Sequence, residues 1–165
     1  MQNLIKQGVI ANEDSWQLLR EAEAAFAADA DVIVPLERFL QLSAAGDHQG
    51  GLAVLLAPDS DPLALQPHLA ALTLIAIDFP AFADGRGYSI ARLLRERLAY
   101  RGELRAVGDV LRDQLSYLAQ VGFDSFAIRE DRPAAEALEG LADFSEQYQG
   151  TVLKPVPLLK RRVSN

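Results

Sequence analysis

The chain has 165 residues, 50% hydrophobic and 24% charged, the balance of an ordinary globular protein able to bury a core. With no cysteine it has no disulfides, thiol catalysis, thiolate zinc sites or Cys-ligated iron–sulfur clusters, and a net charge of −7 argues against a nucleic-acid role, which wants a broad basic face. No apolar run approaches the roughly 20 residues of a membrane span, and "MQNLIKQGVIANEDSW" lacks the pattern of a secretory signal, so a cytoplasmic protein with no membrane partner is expected.

In chain order, the first 30 residues read as a short polar hairpin or extended lead, then a helix from about Asp14. Trp16, Leu19 and Phe26 fall on helical spacing there, with Asp14 or Ser15 as N-cap. A brief apolar strand at 32–34 runs into a helix of one to two turns opening at Pro35. The Gly-rich polar stretch 43–51 is a loop and the best place for a subdomain hinge. Continuous apolar runs at 52–58 and 72–79 are strands buried on both faces; 103–109 is a weaker strand and 124–130 a strong one. Helical stripes cover 89–100, 109–122 (Asp109 as N-cap, Gly122 as the stop) and 132–150.

This alternation predicts an α/β protein, an open parallel sheet or partial (β/α) barrel of four to five strands covered by helices. A complete eight-fold barrel typically takes about 250 residues. One domain spans 1–150. The remainder, 151–165, carries Lys154, Lys160, Arg161 and Arg162 without an acid; Pro155 and Pro157 bar a helix, leaving an extended basic arm that reads as a frayed terminus or a partner-binding segment. The exposed edges of such a sheet make a homodimer a fair expectation.

Ligands in parallel sheets bind beyond the carboxyl ends of the strands. Collected there are Asp59 and Asp61, Asp78, the loop Asp84-Gly85-Arg86-Gly87-Tyr88-Ser89, Asp109, and Arg129 with Glu130, Asp131 and Arg132. Arg86 beside a helix start at Tyr88 or Ser89 can clamp a small anion, with Gly87 freeing the backbone and Arg129 on the same rim. Asp84, Asp78 and Asp109 are the candidate bases. The structural alternative is equally concrete: Ser89 caps a helix, Tyr88 packs under the loop, and Arg86 pairs with Asp78, Asp84 or Asp109. "DGRG" matches neither a P-loop nor a dinucleotide fingerprint.

Charge is unevenly spread. Residues 82–114 hold seven arginines against five acids, a segment of +2 in a chain whose remainder is −9. Arg92 and Arg95 fall on a solvated helix face, Arg92 at i,i+4 spacing to Glu96, whereas Arg97 falls with Ile90, Leu93 and Leu94. Arg92, Arg95 and the tip Lys160, Arg161 and Arg162 are the partner-binding candidates. His48 and His68, 20 residues apart in loop contexts, offer no metal-ligand spacing, and both read as solvent-exposed.

The run "DGRGYS…ARLLR…GELRA.GDVLRDQ…GFD.F" resembles a proteobacterial family of unknown function. Its members are encoded beside the sulfite reductase haemoprotein and described as oxidoreductases of sulfite reduction. "VIVPLERF" and the basic tip resemble it more weakly. The resemblance implies a pathway, assimilatory sulfite reduction, and a partner, the haemoprotein; it carries over no catalytic residue and no cofactor. With no cysteine and no dinucleotide fingerprint, an accessory protein is expected ahead of an enzyme acting on a small anion or an oligomerisation module.

Overall fold

The computed structural model describes residues 3–142, which form one eight-stranded sheet and four α-helices. β1 (Leu4–Lys6) and β2 (Val9–Ala11) make an antiparallel hairpin. Its turn residues, Gln7 and Gly8, both sit at positive φ (51° and 78°), the hand that matches strand twist. β3 (Gln17–Leu18), β4 (Val32–Pro35), β5 (Leu52–Leu56), β6 (Leu74–Phe79), β7 (Glu103–Gly108) and β8 (Ser125–Ala127) then pair in parallel, each beside its predecessor. β1 lies antiparallel against β8, giving the order β2-β1-β8-β7-β6-β5-β4-β3. The sheet curls into an open half-barrel.

Sequentially wound parallel strands with right-handed crossovers put every connection on one face. α1 (Leu36–Ala45), a 3₁₀ turn (Pro62–Leu65), α2 (Arg86–Arg92), α3 (Arg112–Gln120) and α4 (Ala134–Ala142) occupy it. There Phe39, Leu65, Ile90, Leu94, Leu115 and Leu118 pack on Val34, Val54, Ile75, Ile77, Leu104 and Phe126. The concave face carries the alternate residues, Ile33, Ala53, Leu55, Leu74, Ala76 and Val107, closed over by Trp16 and Leu18. This two-sided burial makes β5 and β6 unbroken apolar runs.

Three expectations are corrected. The sheet has eight strands, not four to five: the hairpin and the two-residue β3 are too short for periodicity to reveal. The edge strands of the sheet are β2 and β3, three and two residues long. The helix expected from Asp14 is absent: Gln17 and Leu19 donate backbone hydrogen bonds to Asp31 and Ile33 (both 2.9 Å), and Trp16 and Leu18 alternate onto the concave face. Helical spacing there was coincidental; the period that operates is two. α1 runs ten residues rather than one or two turns and takes Ser43–Ala45 out of the expected loop.

The strand read as weak, β7, is central, flanked by β6 and β8. Its polar members share a face. Arg105 is fully buried; its Nη1 and Nη2 donate to Asp14 Oδ2 and Oδ1 (2.9 and 3.0 Å), and its Nε and Nη2 to Glu103 Oε1 (2.9 and 2.7 Å). Ser125 Oγ also donates to Glu103 Oε1 (2.6 Å), and Lys6 Nζ lies 2.6 Å from Glu103 Oε2. Burial pushes the Glu103 carboxyl up, but Lys6, Ser125 and Arg105 outweigh it and hold it low; Arg105 does the same for Asp14. This network straps the N-terminal segment across the half-barrel.

Candidate functional site

The carboxyl ends of the parallel strands form a common rim, as the topology requires. β6 ends in Asp78 and Phe79, β7 in Gly108 followed by Asp109, β8 leads to Arg129, and β3 leads to Arg20. The curl brings Leu18 and Arg20 opposite Val107, Gly108, Ala127, Ile128, Arg129, Glu130 and Asp131, which together line a cleft of ≈ 700 Å³. Gly108 (φ 99°) is demanded by close approach: a Cβ there would stand 2.4 Å from the Phe79 carbonyl oxygen and 2.7 Å from Asp78 Oδ1.

Three of the guanidiniums near the rim, Arg129, Arg20 and Arg86, already meet carboxylate. Arg129 donates through Nη1 to Asp109 Oδ1 (2.8 Å) and through Nε and Nη2 to Asp131 (2.6 and 2.9 Å); Asp109 Oδ2 accepts the Phe82 N–H (2.9 Å). These bonds raise the Arg129 pKa and lower that of Asp131. Arg20 Nη1 lies 2.8 Å from Asp78 Oδ1, an ion pair whose geometry is too skewed for a hydrogen bond, so that this buried oxygen lacks an aligned donor. Arg86 closes on its own loop, donating through Nε and Nη2 to Asp84 Oδ1 and Oδ2 (3.0 and 2.7 Å). The Arg86 side chain holds the Asp84 carboxyl below its ordinary range.

The rim thus brings together Asp78, Asp109 and Arg129, while Arg86 and Asp84 form a separate pair. Several local expectations change. α2 starts at Arg86, not at Tyr88 or Ser89, and Asp84 Oδ1 accepts the Arg86 N–H (3.1 Å); Ser89 is inside the helix and exposed, so it caps nothing. Gly87 serves packing, since a Cβ would lie 2.6 Å from Phe79 Cζ. Tyr88 packs between Phe79 and Tyr117 (ring centroids 5.2 and 4.9 Å) and lies 3.5 Å from Gln114 Nε2. Asp109 is no N-cap: α3 begins three residues on, where Gln114 Oε1 accepts the Leu111 N–H (2.9 Å).

The arginine strip divides differently from the 3.6-residue reading. Residues Leu93–Arg97 wind as a π-turn, whose wider pitch rotates following side chains away from the α-helical register. Arg95 turns inward, donating to the carbonyls of Gly122, Tyr100 and Gly102 (2.9, 2.8 and 2.8 Å) and to Asp124 (3.0 Å). It is a structural tie and not a member of the solvated face on which it was expected. Arg97, expected beneath the helix, is exposed. Arg92 is exposed and pairs with Glu96 as its spacing implies (3.0 Å). Lys160, Arg161 and Arg162 lie outside the described residues. Neither histidine is a bare loop side chain: His48 packs edge-on to Phe26 and His68 to Phe39.

Arg20 and the Asp14–Arg105–Glu103 network escaped sequence reasoning. The second had a signal: Glu103 and Arg105 lie two apart on one face of a strand whose other face, Leu104 and Ala106, is apolar. Arg20 had none, because its partner is 58 positions away.

Fold and rim define an α/β protein built on a curled open half-barrel, with a charged cleft at the carboxyl ends of its strands and no described helix long and apolar enough to cross a membrane. Residues 53–159 match the model of a bacterial protein family of unknown function, DUF934, and the chain belongs to that family. No curated protein matches the chain.

Proposed function

We propose that the chain is an accessory protein of assimilatory sulfite reduction that docks on the sulfite reductase haemoprotein rather than supplying redox chemistry of its own. The resemblance noted in the sequence supports the pathway. The lack of cysteine favours a supporting role over thiol-based electron transfer. The observation that carries docking is the set Arg92, Arg97 and Arg101, all exposed in a protein of net charge −7. A local cationic strip on an acidic protein steers it toward an acidic partner surface and aligns it there.

The test is sedimentation of the purified chain with the haemoprotein at ~10 mM and ~150 mM ionic strength, across which the Debye length falls from about 30 Å to about 8 Å. A complex is expected at the lower value and its loss at the higher; R97E/R101E abolishes it at the lower value too. Absence of a complex at every ionic strength, or one indifferent to charge reversal, overturns the reading.

A further inference from the structure

The rim cleft lies apart from the arginine strip, and its charge is of the other sign. Its floor is apolar: Leu18, Val107, Ala127 and Ile128. Around it stand two guanidiniums, Arg20 and Arg129, and four carboxylates, Asp78, Asp109, Glu130 and Asp131. A simple anion entering here meets a negative surplus, and on Arg129 it competes with two carboxylates already bonded.

Two lining groups keep capacity to spare. Arg20 is half-exposed and meets Asp78 through Nη1, with no other partner among the described residues. Glu130 is exposed and makes no ion pair among them. Asp78, largely covered, meets one terminal nitrogen of the Arg20 guanidinium and leaves its remaining donors for the cleft. The combination is bipolar: free donors of a cation, a free carboxylate, an apolar floor, and a volume within the metabolite range.

We propose that this cleft binds a small amine-bearing metabolite of zwitterionic, amino-acid-like form. Its ammonium group pairs with Glu130, its carboxylate takes the outer donors of Arg20, and its apolar body lies on Leu18, Val107, Ala127 and Ile128. A zwitterion satisfies both spare groups without adding to the negative surplus. An isosteric carboxylate lacking the amine leaves Glu130 unpaired and is repelled.

The test is titration calorimetry of the full chain, without any partner protein, using three probes of one shape: L-leucine, 3-methylbutylamine and 4-methylpentanoate. The expected order of affinity is leucine, then the amine, then the carboxylate. Losing one charge-assisted contact costs about tenfold. R20Q therefore brings leucine down to the level of the amine and leaves the amine unaffected, whereas E130Q weakens both by about tenfold. Both side chains are solvent-accessible, and thermal melts of the variants verify folding. Binding of 4-methylpentanoate as tight as leucine, no detectable binding of leucine at millimolar concentration, or variants that change nothing would each overturn the assignment. Because the reductase is absent, failure here leaves the docking measurement untouched.

Discussion

Replacing Arg105 with alanine removes the cation that, among the described residues, bonds both Asp14 and Glu103. Arg105 is fully buried, and the Asp14 and Glu103 side chains retain only 6% and 12% exposure. Lys6 remains on the outer oxygen of Glu103, but Asp14 loses its bidentate partner and Glu103 loses two hydrogen bonds. Breaking one side of a buried pair costs about 3–5 kcal/mol, because the remaining charge stays desolvated. Domains are typically stable by about 5–15 kcal/mol, so R105A should be severely weakened. At about 2–4 °C per kcal/mol for this size, the melting point falls by roughly 6–20 °C. Urea unfolding followed by circular dichroism of R105A, D14A and the double variant closes a thermodynamic cycle. The double variant should lose less than the sum of the singles. A loss below about 1 kcal/mol in R105A, against the 3–5 expected, or strict additivity, would refute the view that this network straps the N-terminal segment onto the sheet.

Acid should act on the same network. Glu103 and Asp14 are held below their ordinary values of 4.5 and 3.8, so their contribution to stability is complete above pH 4.5 and lost as pH falls through the lower folded values. Asp124, raised by burial, works in the opposite sense. E103Q should therefore flatten the decline of urea stability below pH 4.5; an unchanged slope counts against the assignment. R95K keeps the charge but loses the planar fork that serves three carbonyls and Asp124, and should cost at least ~2 kcal/mol in urea unfolding. G87A should lose roughly 1–2 kcal/mol in the same assay, overpacking against buried Phe79 exceeding the gain in helix propensity. Ala99, exposed at φ 53° just after the π-turn, is strained; A99G should raise stability by about 0.5–1 kcal/mol, read as a higher melting point.

From β5 onward the alternation of strand and helix was legible in the residues alone. Unbroken apolar runs at β5 and β6 and leucine stripes on the intervening helices record burial locally, and parallel strands follow from connections long enough to cross over. That Asp78, Asp109 and Arg129 share a rim also followed from the alternation. Tertiary contact decided the rest. The segment around β3 is extended and not helical because β4 offers backbone partners on one side and Arg105 receives Asp14 on the other. Arg95 and Arg97 exchange places because a π-turn intervenes, something a fixed helical period does not anticipate. Which carboxylate neutralises which arginine depends on pairs as distant as Asp14 and Arg105, 91 positions apart, and the sign of the cleft on the pair Arg20 and Asp78. Spacing along a chain encodes which face a side chain occupies; compensation of charge is a property of space, and only the curled sheet supplies it.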